Sequence, residues 1–359
     1  MTAAAADDVV RTHADARQSE RPPLLVLEPL LAFLDEHGLG TGEPHVEPLG
    51  DGHSNVTLAV TRGATRLVLR RPPRPPWPPS AHDVLREARV LQALHGRARV
   101  PRVLAVCDDD AVIGAPFYVM ERLDGHVLTS ALPPALAPAA ERRRVGEELV
   151  DALVELHAVD WRATGLERFG RPTGYLERQL HRFRGLWEHN RTRELPAVER
   201  VADWLAAHLP DSPEATLVHG DYRLGNALFA ADAPARLAAV FDWELSTIGD
   251  PRADLGYLCA LWVEPADPRI AFFEVGSVTR QAGFASRAEL IDRYEEGTGR
   301  TMSDIEWYEA LALWKAVVFM EGNYRRSLSG DDDDPFLAGF GEGVVELAER
   351  AEALTRGAR

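Results

Sequence analysis

Lysine is almost absent from this chain. Of its 40 basic residues 39 are arginine, and Lys315 is the one lysine among 359 residues. With so much alanine, this points to genomic composition bias, and it leaves arginine to supply almost any cation the chemistry needs. Cysteine is scarce as well. Cys107 and Cys259 lie far apart and fit neither a disulfide framework nor a metal-ligand spacing, so two free thiols in a reducing compartment are expected. No apolar run approaches the roughly 18 residues of a membrane span. The opening MTAAAADDVVRTHADARQSERPP has early acids and lacks the apolar core of a signal peptide. A cytoplasmic protein is therefore expected. The formal net charge of −16 argues against nucleic acid or an anionic membrane as a main partner.

What is present describes an ordinary globular chain, 45% hydrophobic and 27% charged, long enough for two lobes. Residues 1 to 23 are polar and aperiodic, which predicts a mobile tail. LLVLEPLLAFLDEHG reads as a helix ending at Gly38. Val56, Leu58 and Val60, then Leu67 and Leu69, alternate around a turn at Arg62–Gly63, the pattern of a hairpin with one buried face. RPPRPPWPPS holds too much proline for helix or central strand. Ser80 is the expected N-cap of the following helix, with Asp83 completing a capping box.

That helix places Val84, Ala88, Leu91 and His95 at helical spacing, with Glu87 in the same stripe. A carboxylate on an inward face costs several kcal/mol unless it is paired, so Glu87 asks for a cation. APFYVMERLDG reads as a buried strand running into a linker at Leu123–Gly125. Beyond it the chain turns helical: Val145, Leu149, Ala152 and Leu156 share a face, and Asp250–Pro251 resembles an N-cap with proline at the first helical position. The expected layout is α+β, with a β-rich lobe over residues 24–123 and a larger helical lobe over 124–359.

Four pieces carry chemistry. In LGDGHSNV, Gly50, Gly52, Ser54 and Asn55 form a turn where backbone N–H groups could approach an anion, although Gly-x-Gly also serves ordinary hairpins and Asn55 stands where a third glycine would be. Arg70 alternates out of phase with Leu67 and Leu69. A bond to Glu87 would hold its guanidinium where it could clamp phosphate oxygens; Arg71 is the competing candidate and points the other way. The loop LVHGDYRLGNALF supplies Asp221, able to accept a hydroxyl proton, and Asn226, whose amide oxygen suits a cation. LAAVFDW, a strand ending at Asp242, adds a hard anionic ligand of the kind Mg²⁺ prefers. Phosphoryl transfer needs an aligned nucleophile, metal across the phosphates and a nearby cation. The Asp-x4-Asn spacing equals that of the protein-kinase catalytic loop, and FDW stands where Asp-Phe-Gly would.

HGDYRLGN and DWELSTIGDPRADLGY resemble the aminoglycoside phosphotransferase and choline kinase-like family, a protein-kinase-like two-lobe fold, from about Leu24 to the C-terminus. LGDGHSNV, LVLRRPP, REARVLQALHG and FYVMERLDG resemble more narrowly a bacterial branch related to the kinase domain fused to acyl-CoA dehydrogenases. The resemblance implies Asp221 as catalytic base, Asn226 and Asp242 as metal ligands, and the Gly50–Asn55 turn over the phosphates. It further implies Arg70 and Glu87 as an ion pair, backbone groups of Glu121 and Leu123 on adenine, and Met120 behind it. His219 and Asp254 would brace the loop. Protein kinases use lysine where Arg70 stands and carry an Ala-Pro-Glu segment missing here, so protein substrates are not expected.

The implied reaction is Mg²⁺-dependent transfer of the γ-phosphoryl of ATP (or GTP) to a small hydroxylated molecule. A non-catalytic nucleotide-binding regulatory module and an aminoglycoside or macrolide resistance kinase are the alternatives. For the acceptor, Asp331–Asp334 might meet ammonium groups but reads more simply as a solvated loop. Trp187, Trp243, Trp262, Trp307 and Trp314 could line an apolar site, although Trp307 and Trp314 sit at core spacing. The animal relatives imply hydroxyacyl-CoA acceptors, for whose CoA phosphate the acidic surface offers no obvious basic site.

Overall fold

The computed structural model describes residues 8–50, 55–75, 77, 82–270, 273, 276–329 and 340–357. Chain contacts divide them into a smaller unit, residues up to 96 with 100–124 and 242–244, and a larger unit of residues 97–99, 125–241 and 245 onward.

In the smaller unit the alternating segment forms the expected hairpin. Strands β4 (Val56–Arg62) and β5 (Thr65–Arg71) pair antiparallel from Val56↔Arg71 to Arg62↔Thr65, around Gly63 at φ +56°. With β3 (Pro44–Pro48), β6 (Val103–Cys107) and β7 (Phe117–Glu121) they make an antiparallel sheet in the order β3-β4-β5-β7-β6. One face packs Leu58, Val60, Leu67 and Leu69 against Leu30 and Leu34 of a helix, Leu27–Glu36. Burying apolar side chains at about 25 cal/mol per Å² is what holds such a layer together. Alternation turns Arg70 to the opposite face.

Two expectations change here. The segment from Asp8 on is tethered rather than mobile: strand β1 (Val9–Val10) pairs in parallel with β2 (Leu25–Val26), and Thr12 and Asp15 form a reciprocal capping box. Leu25 and Val26 are consumed by this pairing, so the helix after them starts at Leu27. The helix carrying Glu87 runs Val84–Leu94, and its N-cap is Asp83, whose carboxylate accepts the Arg86 N–H at 2.9 Å. Ser80 lies outside the described residues.

The larger unit is mainly helical. The helix Ile305–Ser329 lies in a core with the helices Tyr175–Asn190, Pro196–Ala207 and Phe340–Thr355. Trp307 and Trp314 donate from their indoles to the carbonyls of Leu205 at 3.0 Å and Val198 at 3.2 Å. All five tryptophans considered for an acceptor site are buried, so they are core and line no open apolar site. Burial with a satisfied N–H is the usual state of a large aromatic. Asp331–Asp334 lies outside the described residues. The helix after Asp250 is Arg252–Leu261, with Pro251 one residue before it and Asp250 Oδ1 accepting the Arg252 N–H at 3.0 Å. Cys107 and Cys259 are buried free thiols. No helix among the described residues is long and apolar enough to cross a membrane.

Candidate active site

Arg70 pairs across the sheet with Tyr118. Its Nε donates to Glu87 Oε2 at 2.8 Å, one terminal nitrogen to Thr57 Oγ1 at 3.1 Å, and the other to Asp242 Oδ1 at 2.7 Å. The second Glu87 oxygen accepts the Trp243 N–H at 3.2 Å. The inward carboxylate has thus found the cation that its place on the helix demanded. Burial opposes the charge on Arg70, but Glu87, Tyr118 and Asp242 together hold its pKa above the ordinary value. Burial pushes Glu87 up, with Arg70 pulling it back. Arg71 does point the other way: it is buried, donates to the carbonyls of Pro72, Leu24 and Ile113, and burial pushes it down to about 10.

Asp242 has φ +66°, a left-handed conformation that aspartate tolerates better than most residues. The strand before it ends at Val240 rather than at Asp242. The bonds from Arg70 to Asp242 and from the Trp243 N–H to Glu87 hold this turn, and such backbone outliers gather at functional sites.

The expected phosphate turn is only partly described, since Gly52 and Ser54 lie outside the described residues. Gly50 has φ +78°. Asn55 is buried, donating to Glu244 at 3.1 Å and facing His82 Nδ1 at 3.1 Å. Its side chain is a structural tie. The Glu121 N–H donates to the Arg102 carbonyl at 3.0 Å, so this amide is already engaged at the expected adenine edge. Met120 is buried beside it in β7.

In the larger unit residues 219–226 join the strand Thr216–Val218 to the strand Ala227–Phe229. Gly220 takes φ +87°, and a Cβ there would meet the Leu245 carbonyl oxygen at 2.7 Å, so only glycine fits. Asp254, fully buried, accepts the N–H groups of His219 at 2.7 Å and Gly220 at 2.8 Å. His219 Nδ1 accepts the Asp221 N–H at 3.2 Å, which leaves Nε2 to donate to the Phe241 carbonyl at 2.9 Å. Both residues thus tie down the loop backbone by hydrogen bonds. His157 joins them, with Nε2 3.3 Å from Asp254 and Nδ1 2.7 Å from Tyr294 Oη. Burial lowers its pKa.

Asn226 Nδ2 donates to the Asp221 carbonyl at 2.9 Å and to its carboxylate at 2.8 Å. This fixes the amide so that Oδ1 remains for another partner. Asn226 Oδ1 in the larger unit and the Asp242 carboxylate in the smaller unit are each a hard oxygen donor. Among the described residues no group of three or more His, Cys, Asp or Glu side chains is placed to hold a metal ion.

Three features escaped the sequence reasoning. The Arg70–Asp242 bond joins residues 172 positions apart, and no local pattern announces it. Arg223 Nε lies 3.3 Å from Asp221 Oδ1, from a position two residues along that carried no assigned role. His157 follows Leu149, Leu153 and Leu156 on the buried stripe of its helix, and that polar residue at a core position was the available signal.

The family model described as "Phosphotransferase enzyme family" matches residues 45–310. The chain belongs to that family. Solved structures similar to it share the chain's protein-kinase-like α+β fold. A Ralstonia eutropha JMP134 protein named for the aminoglycoside phosphotransferases is 31% identical, with a TM-score of 0.79 over 93% of this chain and 99% of that one. A thermostable mutant of an aminoglycoside phosphotransferase, in a ternary complex with AMP-PNP and hygromycin B, is 16% identical, with a TM-score of 0.57 over 92% of this chain and 98% of that one. Among curated relatives, acyl-CoA dehydrogenase family member 11 of Rattus norvegicus is 33% identical over 361 residues, 97% of this chain and 45% of the relative. The chain spans less than half the length of the curated relatives it matches.

Proposed function

We propose that this phosphotransferase moves the γ-phosphoryl group of ATP (or GTP) to a hydroxyl of a small molecule. The observation that carries the proposal is the Asn226–Asp221 bond at 2.8 Å, which aims a carboxylate and an amide oxygen from one braced loop. Asp221 orients the acceptor hydroxyl and takes its proton as the oxygen attacks phosphorus. The bond from phosphorus to the bridging oxygen breaks, and the nucleoside diphosphate leaves with that oxygen. Asn226 Oδ1 and Asp242 would hold Mg²⁺, which neutralises charge on the phosphate oxygens when bound. Arg70, fixed by Glu87 and Thr57, offers its guanidinium to the phosphates, with the backbone of the Gly50–Asn55 turn and, at the base, Met120, Glu121 and Leu123.

The nucleotide and hygromycin B in the distant aminoglycoside phosphotransferase complex support a nucleotide and a small acceptor as partners here. The net charge of −16 supports a protein that avoids nucleic acid and anionic membranes. The test is ATP and GTP consumption with Mg²⁺ against pooled hydroxylated metabolites, hydroxyacyl-CoAs and aminoglycosides, with Asp221→Asn as the blank. Acceptor-dependent consumption absent from the blank supports the proposal. Tight nucleotide binding with no consumption in any pool would favour a non-catalytic regulatory module instead.

A further inference from the structure

Lys315, the one lysine in the chain, sits in the middle of the helix Ile305–Ser329 at 8% exposure. Buried lysines are uncommon unless paired. This one has neither a hydrogen bond nor an ion pair among the described residues. Its ammonium lies over the Phe183 ring, 5.0 Å from the centroid. It also lines a small recess with Gly220, Asp254, Tyr257, Tyr175 and Tyr308. Gly220 is the residue just before Asp221, so the recess adjoins the loop that would carry the reaction.

The charges facing Lys315 are Asp254 and Asp221, which favour its protonated form, and Arg182, which disfavours it. Asp254 is already occupied by two backbone N–H groups and His157. Asp221 is occupied by Asn226 and Arg223. Neither carboxylate is turned over to Lys315, so the ammonium keeps its donors for something else. The recess has a volume of about 10 Å³, the room of one water-sized group. It has room for a single oxygen beside the lysine.

We propose that Lys315 and this recess bind an anionic oxygen of the acceptor, and that the acceptor is a small hydroxycarboxylate whose carboxylate anchors at Lys315 while its hydroxyl reaches Asp221. This rests on the phosphoryl-transfer function proposed above. At the recess the ammonium attracts a carboxylate and repels an ammonium group, against the opposing pull of Asp254 and Asp221, so a hydroxycarboxylate is expected to outrank an amino alcohol only where its carboxylate meets Lys315 directly. Discrimination comes mostly from the donor left without a partner when the wrong acceptor binds.

The test uses 2-, 3- and 4-hydroxybutyrate, butane-1,3-diol and 4-aminobutan-1-ol as acceptors, with the full-length protein and its Lys315→Met and Lys315→Arg variants. Turnover is read as nucleoside diphosphate release, and binding by titration calorimetry in ADP and Mg²⁺. Melting curves establish that each variant is folded. At least one hydroxybutyrate is expected to be used in preference to the diol and the amino alcohol. Lys315→Met should raise its KM about 10- to 100-fold, the worth of a charged hydrogen bond, with the nucleotide KM unchanged, and Lys315→Arg should recover part of the loss. Preference for the diol or the amino alcohol, or a hydroxybutyrate KM indifferent to Lys315→Met, would overturn the subsite while leaving the kinase function standing. Lys315-dependent hydroxybutyrate binding without turnover of any acceptor would uphold the subsite and overturn the kinase function. Neither binding nor turnover of any hydroxybutyrate overturns the hydroxycarboxylate assignment.

Discussion

Asn226 holds Asp221 from both ends, donating from one Nδ2 to its carbonyl at 2.9 Å and to its carboxylate at 2.8 Å. The five-residue spacing is what lets a side chain reach back over a single turn, the Leu224–Asn226 3₁₀ segment. An isolated aspartate would sample several rotamers, whereas this one is fixed before any acceptor arrives.

Replacing Asp221 with asparagine keeps the shape and removes the proton acceptor. We expect kcat to fall by about 10²- to 10⁴-fold, the usual worth of general base catalysis, with the nucleotide dissociation constant unchanged. Steady-state kinetics and calorimetry on the same preparation check both halves. A variant with full kcat would remove Asp221 from the mechanism.

Arg70→Met leaves Glu87, 2% exposed, as a buried charge stripped of its partner. Removing one member of a buried pair costs about 3–5 kcal/mol. The double variant Arg70→Met/Glu87→Leu should recover most of that in urea unfolding, yet remain inactive, because Asp242 also loses its 2.7 Å contact. Arg70→Lys has one nitrogen for three partners and should fall between the two in stability. Equal stability of single and double variants would contradict the coupling.

Lys315 offers a pH test. Burial pushes it down from the ordinary 10.5 to about 8. Between pH 8 and 10.5 the unfolded chain holds more protons than the folded one, so stability attributable to this residue rises with pH through that window. Below pH 8 the penalty is fully present, at about 3 kcal/mol for the shift. Lys315→Met should therefore be more stable than the parent at pH 7, with the gap closing towards pH 10.5. A gap that is flat across this range would mean that burial of the ammonium is not what depresses it.

At Gly220 the constraint is steric. A methyl group would meet the Leu245 carbonyl at 2.7 Å in a backbone conformation, φ +87°, that suits glycine. Gly220→Ala should lose about 1–3 kcal/mol from backbone strain and lower kcat more than it changes nucleotide affinity, since it displaces the loop that carries Asp221. Thermal melts and kinetics check this together, and an unchanged kcat would show that the loop tolerates the shift.

The hairpin, the Glu87 stripe and the helical second half were legible because their periods are local properties of the chain. Glu87 even announced its partner, since an apolar face cannot host a lone carboxylate and Arg70 was the out-of-phase cation nearby. The Arg70–Asp242 bond was not legible, because it depends on how residues 172 apart meet. The tail was misjudged for a related reason: Val9–Val10 is too short to show a strand period, and it is ordered by pairing with Leu25–Val26. The N-cap moved from Ser80 to Asp83 because both are good capping residues and a proline-rich approach gives no further local cue. The tryptophans looked available for a site only because a sequence shows their chemistry and not their burial.

The most direct test of the account is phosphorus NMR of the protein with ATP, Mg²⁺ and a hydroxylated acceptor found by screening, run beside Asp221→Asn. The account predicts a growing phosphate monoester signal matched one for one by ADP, present in the parent and lost in the variant. ADP formation without a monoester, or equal monoester formation in both proteins, would contradict it.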